Sequence, residues 1–163
     1  MRVTRWIWAA PAAFLVHDAE ELLTVERWLR AHAAELPAVV RPLLDVTTRQ
    51  FAVGVAVLAV GFLLAAAHGA RRARRDALSI PFLLAAGALV GNALTHAGQA
   101  ALFGGYTPGV VTAVLVVLPY GLGLGRTLRA HRLASARCYA AAVGAGVLLQ
   151  LPLALIALAI GRA

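Results

Sequence analysis

The residues best suited to chemistry form a short cluster near the amino terminus, which reads His17-Asp18-Ala19-Glu20-Glu21. In a helix, positions three and four apart share a face, so His17, Glu20 and Glu21 converge while Asp18 points elsewhere. An imidazole and two carboxylates on one face can bind a metal ion or transfer protons. A charged residue near the centre of a membrane helix costs about 2.5–3.5 kcal/mol, so this cluster marks either a functional site or the end of a span.

A second polar motif interrupts a later apolar stretch and consists of Asn92 and His96, which share a helix face. Two imidazoles and a carboxylate suit a zinc ion, or an iron ion held by two histidines and one carboxylate. The candidate metal ligands are therefore His17, Glu20, Glu21 and His96. A glutamate that does not bind the metal could act as a general base, and Asn92 could orient a ligand or the substrate. Glu20, Glu21 and Asn92 are accordingly the candidate catalytic residues.

The composition is that of a membrane protein. Of the 163 residues, 61% are hydrophobic, whereas soluble domains are about 45–50% apolar. All 15 basic residues are arginines, and the net charge is +8. Because these arginines lie between apolar stretches and form no nucleic-acid motif, they indicate loops near anionic lipid rather than a nucleic-acid partner. The single cysteine, Cys138, excludes an intramolecular disulfide and a cysteine-based metal site.

Five apolar segments are long enough to cross a bilayer. We predict an all-α integral membrane helical bundle that forms a single transmembrane domain over residues 1–163. The predicted spans cover approximately residues 5–23, 50–68, 77–102, 109–126 and 138–160. The acidic cluster favours a retained first span over a cleaved signal peptide.

Two details refine the prediction within the spans. Gly87 and Gly91 form a small-xxx-small pair that predicts close helix packing. Pro119 predicts a kink in the fourth span.

The arginine distribution predicts the orientation of the chain. The basic segments at 71–75 and 126–137 should be cytoplasmic, which with five spans places the amino terminus inside and the carboxyl terminus outside. The first and third spans then both run outward. At 1.5 Å per residue, His17 lies roughly 18 Å along the first span, and Asn92 and His96 lie roughly 22–28 Å along the third. We therefore expect these two helices to pack together around one polar pocket in the outward half of the bilayer.

The motifs His17-x-x-Glu20-Glu21 and Asn92-x-x-x-His96, each in an apolar context, resemble the signatures of the HXXEE family of integral membrane proteins. The resemblance covers most of the chain. That family is chiefly uncharacterised, so the resemblance implies a membrane location and the position of the site, but no reaction. The alanine- and arginine-rich, lysine-free composition suggests a bacterial source, and hence the bacterial inner membrane.

Four classes of function agree with these residues. A metal-dependent membrane enzyme, hydrolytic or oxidative, would use zinc or iron on a lipid-like or apolar substrate. The same side chains could instead perform acid–base catalysis without a metal. A non-enzymatic carrier or proton-coupled transporter is a third alternative, although no inverted repeat is evident. In the fourth, a structural accessory protein, the polar residues would serve helix packing. A stoichiometric metal ion would separate the first class from the others.

Overall fold

The computed structural model of the protein describes residues 2–36 and 47–162, and over these ranges it is helical with no strands. Its helices are α1 (Arg2–Ala31), α2 (Thr48–Ala73), α3 (Ile80–Phe103), α4 (Val110–Ala130) and α5 (Ala136–Arg162). Each predicted span overlaps one of these helices. The all-α prediction is therefore confirmed for the described part of the chain.

The described residues support fewer membrane spans than the sequence predicted. Among the described residues, three helices, α2, α3 and α4, are long and apolar enough to cross a membrane. Helix α5 becomes a fourth if its segments Ala136–Gln150 and Pro152–Gly161, which are bent by 49°, count as one span. Helix α1 is not among them, because arginine and acidic side chains interrupt its apolar run. Three to four candidate spans are thus supported, rather than the five that the sequence predicted.

Capping residues explain where the central helices begin and end. The Thr47 side chain accepts a hydrogen bond from the backbone N–H of Gln50, whose side chain accepts one from the backbone N–H of Thr47. Ser79 caps α3 by accepting a hydrogen bond from the backbone N–H of Phe82. Helix α3 ends at Gly104, whose φ of 65° lies in the left-handed region that favours glycine. The short connections 74–79 and 104–109 fold α2, α3 and α4 back on one another.

Helix α3 packs most extensively against α5. A side-chain carbon added to Gly91 would lie 2.6 Å from the backbone nitrogen of Val147, and one added to Gly87 would overlap the carbonyl of Ala142. The absence of a side chain at both positions lets the two backbones approach closely. The predicted close packing at this glycine pair is confirmed, and its partner is the last helix.

Helix α4 contains one turn of π-helix, Ala113–Val117, just before Pro119. Within this turn the backbone N–H of Leu118 donates to the carbonyl of Ala113, five residues earlier. Proline lacks a backbone N–H and disturbs the regular ladder of an α-helix. The irregularity that the sequence predicted at Pro119 therefore takes the form of a wide turn immediately before it. Such turns frequently accompany functional sites.

Helix α1 packs mainly against α2 and α4, and it meets α3 over a smaller area. Its buried stripe consists of Val3, Ile7, Ala10 and Phe14, at alternating spacings of four and three residues. The ring of Phe14 stacks on Phe62 of α2, with 4.4 Å between the ring centroids. This spacing keeps one face of α1 against the bundle. The next positions on the same stripe are occupied by polar residues.

Candidate functional site

His17 continues the buried stripe of α1 and lies at the centre of the site. Its side chain is 0% exposed. The ring atom Nε2 lies 2.9 Å from Nδ2 of Asn92 on α3, and Nδ1 lies 3.0 Å from Oγ1 of Thr112 on α4. His17 is therefore the point at which three helices meet, although the two partner residues are far away in the sequence.

His96 lies beside His17 and pairs with Glu21. The two imidazole rings pack edge to face, with 4.9 Å between their centroids. The Nε2 atom of His96 lies 2.8 Å from Oε1 of Glu21, and both side chains are largely buried. The Nδ1 atom of His96 is buried and has no hydrogen-bond partner among the residues that the structure describes. The cluster thus contains one nitrogen whose bonding capacity is unused.

These three side chains have the geometry of a metal site. His17, Glu21 and His96 each offer one ligand atom, and these atoms all lie within 4.8 Å of one another. Two imidazole nitrogens and one carboxylate oxygen suit zinc or non-haem iron. The sequence predicted both histidines and left the choice of glutamate open. The structure brings Glu21, and not Glu20, into this group; their roles as ligands remain predictions.

Glu20 points instead toward the start of α4. Its Oε2 accepts hydrogen bonds from the backbone N–H of Thr112 at 2.7 Å and from the Thr112 hydroxyl at 2.6 Å. Its Oε1 accepts from the Tyr106 hydroxyl at 3.0 Å and from the backbone N–H of Val111 at 3.3 Å. The first N–H groups of a helix lack intrahelical partners and carry partial positive charge, so a carboxylate is stabilised there. Glu20 thus caps α4 from a neighbouring helix.

Asn92 and Asp18 have different environments. The Asn92 amide contacts Nε2 of His17, and its task of orienting a ligand or the substrate stays a prediction. Asp18 is buried at 6% exposure, and its Oδ2 has no hydrogen-bond partner among the described residues. It is not part of the group of ligand atoms, as expected from its position on the helix.

Three residues of the site were missed by the sequence reasoning, and all lie in or just after the connection between α3 and α4. Thr112 bonds both His17 and Glu20. Partial burial raises the pKa of the Tyr106 hydroxyl, so it remains a donor to Glu20. Gly109 has a φ of 83° and lies against the cluster. The glycines and Pro108 of this connection are typical of a tight turn, but nothing in the local sequence identifies the helix that the turn contacts.

Gly109 closes the cluster on one side. A side-chain carbon at this position would lie 2.9 Å from Cε1 of His17, 3.0 Å from Cε1 of His96 and 3.1 Å from Cγ of Glu21. Contacts this short would force the neighbouring side chains to move. A glycine is therefore required both by the backbone conformation and by the space that the cluster occupies.

The fold and the site together define a class: helical proteins with helices apolar enough to span a membrane and a histidine–glutamate cluster buried between them. Within that class, the chain belongs to the HXXEE family, described as proteins of unknown function with an HXXEE motif, whose family model matches residues 8–124. The matched range contains His17, Glu20 and Glu21 as well as Asn92, His96 and Thr112. No curated protein and no solved structure matches the chain.

Proposed function

We propose that this protein is a five-span enzyme of a bacterial inner membrane that uses a divalent metal ion, zinc or iron, on a lipid-like or apolar substrate. The metal would be held by His17, Glu21 and His96. The observation that carries this proposal is the convergence of their ligand atoms within 4.8 Å, contributed by two helices that approach each other at this site. Sites of this kind are built between facing helices of bundles.

The surroundings of the cluster fit a metal. The hydrogen bond from the far side of the His17 ring to Thr112 resembles the second interaction that metal-binding histidines usually make. The Nδ1 atom of His96 has no partner among the described residues and could bind a metal while Nε2 contacts Glu21. Three protein ligands leave a coordination position open. A bound ion would supply Lewis-acid polarisation or a more acidic water molecule.

The surface near the cluster favours an apolar substrate. Leu15 and Val16, which directly precede His17, are 48% and 49% exposed, and Leu94 on α3 is 46% exposed. Apolar side chains with this exposure suit contact with lipid. A substrate dissolved in the bilayer would therefore reach the bundle close to the cluster.

The hydrogen-bond partners of its acidic side chains support α1 as the fifth span. Glu20 accepts four hydrogen bonds from the connection and the first turn of α4, and Glu21 pairs with His96. Polar groups that find partners inside a bundle do not have to face lipid. The arginine-rich segments 71–75 and 126–137 would then lie on the cytoplasmic side, as proposed from the sequence.

Metal analysis of the purified protein tests the proposal. We expect detergent-purified wild-type protein, loaded with zinc or with iron under anaerobic conditions and then dialysed, to retain stoichiometric metal. His17→Ala and His96→Ala should lose it, because each removes one of three ligands. His131→Ala is the matched control, since this histidine is exposed and outside the cluster. Equal metal content in wild type and His17→Ala, measured by plasma mass spectrometry, would overturn the proposal.

A second candidate function is metal-free proton transfer, either in acid–base catalysis or in coupled transport. It is favoured by the direct contact of 2.8 Å between His96 and Glu21, which is short enough to pass a proton. Wild-type protein that is active without metal would support acid–base catalysis. Proton-dependent solute flux in proteoliposomes would support transport.

A further inference from the structure

We infer that Thr112 is a positioning residue that keeps the proton of neutral His17 on Nδ1 and leaves the lone pair on Nε2. The link to metal binding rests on the proposed function. The protonation pattern itself is a property of the metal-free protein, so the two can be tested separately.

The first step concerns the single proton of the Thr112 hydroxyl. Within reach of Oγ1 are Oε2 of Glu20 at 2.6 Å, Nδ1 of His17 at 3.0 Å and the carbonyl oxygen of Gly109 at 3.3 Å. A hydrogen bond to an ionised carboxylate is shorter and stronger than one to a neutral acceptor. The Thr112 proton therefore points to Glu20, whose carboxylate is also held by the Thr112 backbone N–H at 2.7 Å.

The second step concerns His17. Because the Thr112 hydroxyl donates its only hydrogen to Glu20, it can only accept a hydrogen bond from the ring. The Nδ1 atom of His17 must then carry a proton. On the other side of the ring, the Asn92 amide nitrogen donates to Nε2 at 2.9 Å, which requires a lone pair on Nε2. Both contacts select the same tautomer.

The hydrogen bonds that connect Asn92 to Glu20 therefore all run in one direction. Asn92 donates to His17, His17 donates to Thr112, and Thr112 donates to Glu20. In a neutral imidazole one nitrogen is a donor and the other an acceptor, and the partner of the donor decides which nitrogen can bind a metal. Glu20, which is not in the ligand group, thus influences the site through Thr112.

Nuclear magnetic resonance of metal-free protein labelled with ¹⁵N in histidine tests the inference directly. Long-range ¹H–¹⁵N correlations show which ring nitrogen carries the proton, and the His17→Gln spectrum assigns the signal. We expect the Nδ1–H tautomer in the wild type and in Thr112→Ser, which keeps the hydroxyl. Thr112→Val removes the acceptor at Nδ1. Because the Asn92 amide can turn over and present its oxygen to Nε2, His17 should then shift toward the Nε2–H form. A wild-type His17 protonated on Nε2, or an unchanged tautomer in Thr112→Val, would overturn the inference.

Metal affinity provides the second readout. Thr112→Val should bind metal about 10- to 100-fold more weakly than the wild type, and Thr112→Ser should restore most of the affinity. Thr127→Val is the matched control, because its hydroxyl donates to the Gly123 carbonyl on the same helix, away from the cluster. A loss of affinity as large in Thr127→Val would contradict a specific role for Thr112. A wild type that binds no metal would refute the proposed function but leave the tautomer result unchanged.

Discussion

At the scale of single residues, two adjacent glutamates have separate tasks. Glu21 lies four positions after His17, on the buried stripe that begins at Val3, and it contacts His96. Glu20 lies one position earlier, which turns its side chain about 100° around the helix and toward α4. The helix period therefore decides which carboxylate joins the imidazoles and which caps a neighbouring helix.

This separation predicts different effects for two conservative substitutions. Glu21→Gln should lose bound metal, because an amide oxygen is a weaker ligand than a carboxylate. Glu20→Gln should retain metal, because its amide oxygen can still accept the hydrogen bond from Thr112. It should unfold more readily, by about 1.5–3 kcal/mol, since it loses charge-assisted hydrogen bonds. Metal content and thermal unfolding of both variants, compared with the wild type, check this. Loss of metal in Glu20→Gln with retention in Glu21→Gln would reverse the assignment.

At the scale of elements, the connection between α3 and α4 completes the site. It brings Tyr106 to Glu20, and the Trp28 indole N–H donates to the Tyr106 carbonyl at 2.9 Å. The connection begins at Gly104 and ends at Gly109, both with positive φ. It thus ties the carboxyl end of α1 to the first turn of α4, where Thr112 is located.

Gly109→Ala tests the importance of this connection. We expect weaker metal binding, because the added carbon would lie 2.9 Å from Cε1 of His17. The left-handed backbone would add a loss of about 1–2 kcal/mol in stability. Gly105→Ala is the control, since a side-chain carbon there meets nothing within 4 Å. Metal binding in Gly109→Ala equal to that of the control would contradict the proposed geometry.

At the scale of the whole molecule, the helices alternate in direction, and the site lies toward one end of the bundle. That end contains the carboxyl ends of α1 and α3 and the first turn of α4, as shown by the contact between Trp28 and Tyr106 and by that between Glu20 and Thr112. The segments at 71–75 and 126–137 lie at the opposite end. The arginine-rich segments and the site thus lie at opposite ends of the bundle. This agrees with the proposed orientation, in which the arginines are cytoplasmic.

Cysteine labelling in intact cells tests that orientation. In a Cys138→Ser background, Gly105→Cys should react with a membrane-impermeant maleimide added outside, because it lies in the exposed connection near the site. Ala136→Cys is exposed at the opposite end and should react only after the cells are permeabilised. Labelling of position 136 alone in intact cells would invert the orientation, and labelling of both would refute the membrane-embedded bundle.

Local patterns in the sequence were sufficient for several features. Apolar runs predicted helices in the right places, and the glycine pair at 87 and 91 predicted close packing. The spacing of His17 and Glu21 along the buried stripe of α1 was also a usable signal for which glutamate lies beside His96. These features depend on contacts within one helix or on hydropathy, both of which can be read from neighbouring residues.

Only the tertiary structure decided which helices pack against each other. The sequence predicted that the first and third helices pack together; they do meet at His17 and Asn92, but α3 packs mainly on α5, and α1 packs mainly on α2 and α4. Thr112 is separated from His17 by 95 positions, so no local pattern connects them. Contacts between distant residues depend on which helix faces are most complementary. That choice belongs to the bundle as a whole, and it determined the residues that surround the histidines.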